Sequence, residues 1–169
     1  MAVRVERTED TSERSQCFSS NLGWLLKQAS YALSTELMAA LAPVGVSPRG
    51  YHVLVAAMTG EHTQTELAQQ VGLDKTTMVV TIDELEEAGL AKRLPSTLDR
   101  RARVISVTKA GERKVAEGRK VIARVQDEVL ATLPAGERTG LLDALNRLVS
   151  DRLSEPVECS PPLRRREPR

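Results

Sequence analysis

Apolar residues recur at helical spacing along most of this chain, and the pattern breaks only around one short hairpin. Leu22, Leu25, Leu26, Ala29, Leu33, Leu37 and Leu41 form one stripe, so Ser20 to Leu41 predicts a long amphipathic helix ended by Pro43. Ser47-Pro48 supplies an N-cap with proline at the first helical position, and that helix runs through Val53, Leu54, Ala57 and Met58 to Gly60. Thr63-Gln64-Thr65-Glu66 is a capping box, in which the Thr63 hydroxyl and the Glu66 carboxylate satisfy each other's free backbone N–H groups. The short helix it opens closes at Val71-Gly72. Asp74 caps the next helix, Lys75 to Leu85, which stops at Gly89. Leu90 to Leu94 and Arg103 to Thr108 then read as two strands around Pro95-Ser96-Thr97-Leu98-Asp99-Arg100-Arg101. A charged helix follows from Thr108-Lys109-Ala110-Gly111 to about Leu130, striped by Val115, Val121, Ile122, Val125 and Val129. Pro134 starts a last helix carrying Leu141, Leu142, Leu145, Leu148, Val149 and Leu153.

Two short capped helices joined by a glycine-containing turn form a helix-turn-helix, whose second helix can enter a DNA major groove. With the hairpin the unit becomes a winged helix-turn-helix. The fold class is therefore mainly α with a small β-wing. The outer helices are more apolar than one such unit can cover, so the N- and C-terminal helices are expected to form a dimerisation layer. Residues 1–18 are expected to be a disordered segment. Residues 19–154 form the winged-helix DNA-binding and dimerisation domain, with 47–108 as its DNA-binding lobe. Residues 155–169, with Arg164-Arg165-Arg166 among prolines, are expected to be a disordered tail.

A length of 169 residues suits one compact domain with short tails. Phe18, Trp24, Tyr31 and Tyr51 are the only aromatic residues besides histidine, so the core must be built from Leu, Val and Ala. The net charge of +1 gives no support for nucleic-acid binding. Its distribution does: between Lys92 and Arg103 five basic residues (Lys92, Arg93, Arg100, Arg101, Arg103) face one acid, Asp99. A phosphate-contacting wing needs such a local patch rather than a basic whole. Cys17 and Cys159 give neither a disulfide framework nor zinc spacing. No window reaches the length of a transmembrane helix and the polar N-terminus lacks a signal-peptide stretch, so a soluble, cytoplasmic protein is expected. Two histidines, with no nucleophile–base pair, phosphate loop or metal cluster, predict no catalytic site, no metal and no cofactor.

The order of elements resembles the MarR family of bacterial transcriptional regulators over about Ser20 to Leu153. The pieces that carry the resemblance are Ser47-Pro48 through His52-Val53-Leu54, Thr65-Glu66-Leu67-Ala68, Leu85-Glu86-Glu87-Ala88-Gly89-Leu90, and Asp99-Arg100-Arg101-Ala102-Arg103 followed by Val107-Thr108-Lys109-Ala110-Gly111. The resemblance implies an obligate homodimer whose two winged units read a pseudo-palindromic operator in double-stranded DNA. It also implies a repressor, and in many members release from DNA by a small, often aromatic, ligand.

On the second helix of the helix-turn-helix, Lys75, Thr76, Val79, Val80 and Asp83 share one face, while Met78, Ile82 and Leu85 share the other and should be core. Lys75, Thr76 and Thr77 lie at the N-terminal end, where side chains and backbone N–H groups reach phosphate or base edges. Val79 and Val80 suit apolar contact with thymine methyl groups. The family often has a polar or basic residue where Val80 stands. Glu84, Glu86 and Glu87 must turn away from phosphates, which points the helix N-terminus inward. By resemblance, Arg101 is the arginine that enters the minor groove and Asp99 the carboxylate that holds it. A narrow A·T-rich groove favours such an arginine. Arg93, Arg100 and Arg103 are expected as phosphate contacts.

Trp24, Tyr31, Tyr51 and His52 fall where the family places a ligand cleft, and they are the candidate pocket for a small aromatic or organic-acid effector. Peroxide-sensing members use a cysteine near the start of the first helix. Here Gly23 matches that site, and Cys17 lies upstream as an ordinary thiol. The competing function is a winged-helix module that docks onto a protein without binding DNA. Salt-dependent duplex binding separates the two.

Overall fold

In the computed structural model, residues 18–99 and 101–154 are described. The expectations for 1–17 with Cys17, for Arg100, and for the 155–169 tail fall outside them. Asn21 caps the first helix, α1 (Leu22–Leu41), by accepting the Trp24 N–H at 2.9 Å. Pro43 ends it in a 3-10 turn, Ala42–Val44. Ser47 then caps α2 (Pro48–Ala57), its hydroxyl oxygen accepting from the Gly50 N–H at 3.1 Å. The expected capping box opens α3 (Gln64–Val71): Thr63 N–H donates to Glu66 Oε2 at 2.7 Å, and Glu66 N–H to Thr63 Oγ1 at 3.3 Å. Gly72, at φ 70°, takes the left-handed conformation that ends the helix.

Asp74 caps α4 (Lys75–Glu87), and Gly89 again sits in the left-handed region. Strands β1 (Ala91–Pro95) and β2 (Arg103–Val107) pair antiparallel, from Ala91 opposite Val107 to Pro95 opposite Arg103. The segment before α3 adds a third edge. Thr63 bridges to Val104, and the Ile105 N–H donates to the His62 carbonyl at 3.0 Å. The two last helices are α5 (Lys109–Ala131) and α6 (Ala135–Ser150).

Two compact units divide at Val125–Gln126. In the first, Leu41, Val53, Leu54, Leu67, Met78 and Ile82 are fully buried, joined by Leu85, Leu90, Ile105 and Val115. Each such side chain contributes roughly 1.5–3 kcal/mol by leaving water. Met78, Ile82 and Leu85 are core as their spacing predicts. The Thr108–Gly111 turn joins this core to α5. Thr108 Oγ1 donates to the Gly89 carbonyl at 2.7 Å and accepts from the Gly111 N–H at 3.1 Å. A Cβ on Gly111 would stand 2.2 Å from the Leu90 carbonyl oxygen, so glycine is required there by close approach. The second unit holds the end of α5 and all of α6, and α6 contains no buried residue. Among the described residues no single helix is long and apolar enough to cross a membrane.

Candidate nucleic-acid interface

The N-terminal half of α4 is presented by its cap. Asp74 Oδ1 accepts the Thr77 N–H at 3.0 Å, and Oδ2 accepts the Thr77 hydroxyl at 2.6 Å. These bonds, the side-chain one first, hold the Asp74 carboxyl below its ordinary pKa, so the cap stays ionised at neutral pH. Thr77 thus commits its hydroxyl to the cap, whereas Lys75 and Thr76 face solvent. Val79 and Val80 are 40% and 47% exposed although apolar, while Met78, Thr81 and Ile82 beneath them are fully buried. Thr81 tolerates burial because its hydroxyl donates to the Thr77 carbonyl at 2.8 Å.

The C-terminal half of α4 is acidic and neutralised from within. Arg49 pairs with Glu84 at 2.9 Å. Arg93, expected as a phosphate contact, bridges Asp83 at 2.6 Å and Glu86 within the chain, and the other Glu86 oxygen accepts the Arg93 backbone N–H at 2.7 Å. The reason is geometric: β1 runs beside α4, and Asp83 and Glu86 are one turn apart on the side facing it. Burial lowers the guanidinium pKa, but the hydrogen bonds and charges of Asp83 and Glu86 outweigh this and raise it above its ordinary value. Asp83, expected on the exposed face with Val79 and Val80, is therefore drawn towards the wing. Glu84 and Glu86 are both occupied by arginines.

In the wing, Asp99 meets Arg101 through the backbone. Its Oδ1 accepts the backbone N–H of Arg101 at 2.9 Å, a two-residue side-chain-to-backbone turn, and no Asp99–Arg101 ion pair forms among the described residues. The carboxylate is two residues from Arg101, and at that spacing the backbone N–H is the nearer donor. Arg101 and Arg103 remain exposed, and the apolar tip residue Leu98 is 92% exposed. Glu61, which no local pattern in the sequence singles out, reaches the loop that joins β1 to β2. Its Oε2 accepts from Ser96 Oγ at 2.8 Å and from the Thr97 N–H at 3.0 Å. Hydrogen bonds from Thr97 and Ser96 hold the Glu61 carboxyl below its ordinary pKa.

Of the four pocket candidates, Trp24 and Tyr31 lie on α1, and Tyr51 and His52 on α2. Trp24 stacks at a tilt on Phe18 with ring centroids 5.5 Å apart, and Tyr31 lies exposed on α1. Tyr51 is buried, its ring so close to Gly118 that a Cβ there would come within 2.9 Å of it. It meets His52 edge-on at 5.7 Å. His52 reaches the surface, yet desolvation by its neighbours keeps its imidazole below the ordinary pKa. A cavity of about 140 Å³ between Gly50, Thr81 and Leu85 and another of about 340 Å³ between Met58, Leu94 and Ser106 include none of the four. Among the described residues no group of three or more His, Cys, Asp or Glu could hold a metal ion.

A family model described as MarR family matches residues 48–102, from the start of α2 into the wing. CouR from Rhodococcus jostii RHA1, bound to p-coumaroyl-CoA, is 29% identical, with a TM-score of 0.71 over 83% of this chain and 98% of that one. The transcriptional repressor CouR bound to a 23-mer DNA duplex is 28% identical, with a TM-score of 0.72 over 87% of this chain and 99% of that one. The transcriptional regulator PA3341 is 31% identical, with a TM-score of 0.68 over 80% of this chain and 100% of that one.

Proposed function

Because this chain belongs to the MarR family of winged-helix transcriptional regulators, we propose that it is a dimeric, sequence-specific repressor that binds a pseudo-palindromic operator in double-stranded DNA. The observation that carries the reading is the exposed face Lys75, Thr76, Val79 and Val80 on the capped end of α4, in one compact unit with the exposed wing arginines Arg101 and Arg103. Apolar side chains left in water on that face suit thymine methyl groups, and the helix N-terminus suits phosphate. Arg101 suits a narrow minor groove, and Arg103 a phosphate. Arg100, outside the described residues, keeps its proposed phosphate role. CouR, the related repressor bound to duplex DNA, lends support.

The homodimer part of the proposal rests on the apolar residues of α1 and α6 that stay exposed, among them Leu22, Met38, Leu141 and Val149. A second copy is what would cover them. Release by a small aromatic or organic-acid effector is the third part. CouR was captured with p-coumaroyl-CoA, and Trp24, Tyr31 and His52 keep accessible surface here. Duplex binding across a salt series tests the whole reading. A linear fall of log affinity with log salt is expected. A protein-docking module would leave duplex affinity absent or indifferent to salt. Trp24, the single tryptophan, reports effector binding by its fluorescence.

A further inference from the structure

We propose that Glu61 is a positioning residue for Arg101, fixing where the wing presents that arginine to DNA without touching DNA itself. The inference rests on the proposed reading that this chain binds duplex DNA. Glu61 lies between α2 and α3, yet its carboxylate grips the first two residues of the loop after β1, through Ser96 Oγ at 2.8 Å and the Thr97 N–H at 3.0 Å.

Ser96 is 8% exposed, and its hydroxyl has one proton to give. That proton goes to Glu61, which leaves the oxygen turned to accept from the Leu98 N–H at 3.1 Å and the Asp99 N–H at 3.4 Å. Asp99 in turn accepts the Arg101 N–H through Oδ1 at 2.9 Å and the Ala102 N–H through its carbonyl at 2.9 Å. The loop closes where Ser96 N–H donates to the Ala102 carbonyl at 3.0 Å. Every step from Glu61 to Arg101 is thus a hydrogen bond. The neighbouring residues hold β2 as well: His62 accepts from Ile105, and Thr63 bridges to Val104. Residues 61–63 therefore fasten the loop after β1 and strand β2. The same hydrogen bonds favour the charged carboxylate, so the anchor persists through the neutral range.

Charge alone argues the other way. A carboxylate near a phosphate-facing wing repels DNA, so its removal should strengthen binding. Positioning requires that removal weaken it. The opposite signs make the test sharp.

The experiment measures affinity of the full chain for A·T-flanked and G·C-flanked duplexes. The proteins are wild type, Glu61→Ala, Glu61→Gln, Arg101→Ala and the Glu61→Ala/Arg101→Ala double variant. Glu61→Ala is expected to lose about tenfold on the A·T-flanked site and less on the other, the low end of a base contact. Glu61→Gln should recover most of that, because its amide oxygen still accepts from Ser96 and Thr97. In the Arg101→Ala background Glu61→Ala should cost nothing further, the signature of two residues acting as one. Without DNA, amide hydrogen exchange at Leu98 and Arg101 should accelerate in Glu61→Ala while α3 and α4 stay protected. A gain in affinity, or the same loss with and without Arg101, overturns the proposal. Absent wild-type binding would instead sink the DNA reading beneath it.

Discussion

The lobe from Pro48 to Thr108 and the helices α1 and α6 are built from similar residues but differ in where their apolar faces go. The lobe's apolar faces are covered inside the chain: Val53, Leu54, Leu67, Met78 and Ile82 are fully buried, in a core that Leu41 and Val115 complete. Helix α1 buries only Leu41, and α6 buries nothing. Leu22 and Met38 stand 57% and 60% exposed. A single chain thus buries the lobe's apolar faces but leaves much of the α1 and α6 stripes exposed. Apolar periodicity alone does not say which stripes find a partner inside the chain. The lobe is expected to be stabilised by its own packing, and the flanks by a second copy.

The harshest way to break this contrast is to remove one flank. Deleting the residues after Leu133 should abolish the proposed dimer, so that sedimentation equilibrium reads a monomer, and with it about two to four orders of magnitude in operator affinity, the scale of lost bivalency. A folded monomer of the intact chain would end the distinction. Next, Ile82→Ala should cost about 2–5 kcal/mol in denaturant unfolding. That loss arises inside one chain. The smaller destabilisation from Met38→Ala should shrink as protein is diluted and the dimer dissociates. Equal concentration dependence for both variants would place the two regions on the same footing.

Arg101→Ala should then weaken binding by about 1–3 kcal/mol, most on A·T-flanked sites, without a change in unfolding. Equal losses on both flanks would remove the minor-groove role. The smallest effect is expected for Arg93→Ala. Its guanidinium is occupied by Asp83 and Glu86, so the salt slope of duplex binding should stay as in wild type. A fall in slope of about one per contact would return Arg93 to the phosphate.

Features set by near neighbours in sequence were legible before the structure. The Thr63–Glu66 box, the Asp74 cap, and the split between Met78, Ile82, Leu85 and Val79, Val80 depend on spacings of three or four residues. The ion pairs of Arg93 leave no sequence signal, because its partners lie seven and ten residues away, across a turn that swings β1 beside α4. The Glu61–Ser96 bond spans thirty-five residues and leaves no periodic signal. The packing of the Tyr51 ring against Gly118 is likewise a contact that only the folded chain creates. Asp99 was local enough to read. Its two-residue spacing favours the backbone N–H of Arg101 over the guanidinium.

The central claim, a dimer that reads DNA through two winged units, is tested most directly by selecting duplexes from a random pool with the intact chain. The expected product is an inverted repeat whose half-sites lie about one helical turn apart, A·T-rich where the wings fall, and bound by two chains. A pool without enrichment, or a single half-site bound by one chain, would contradict it.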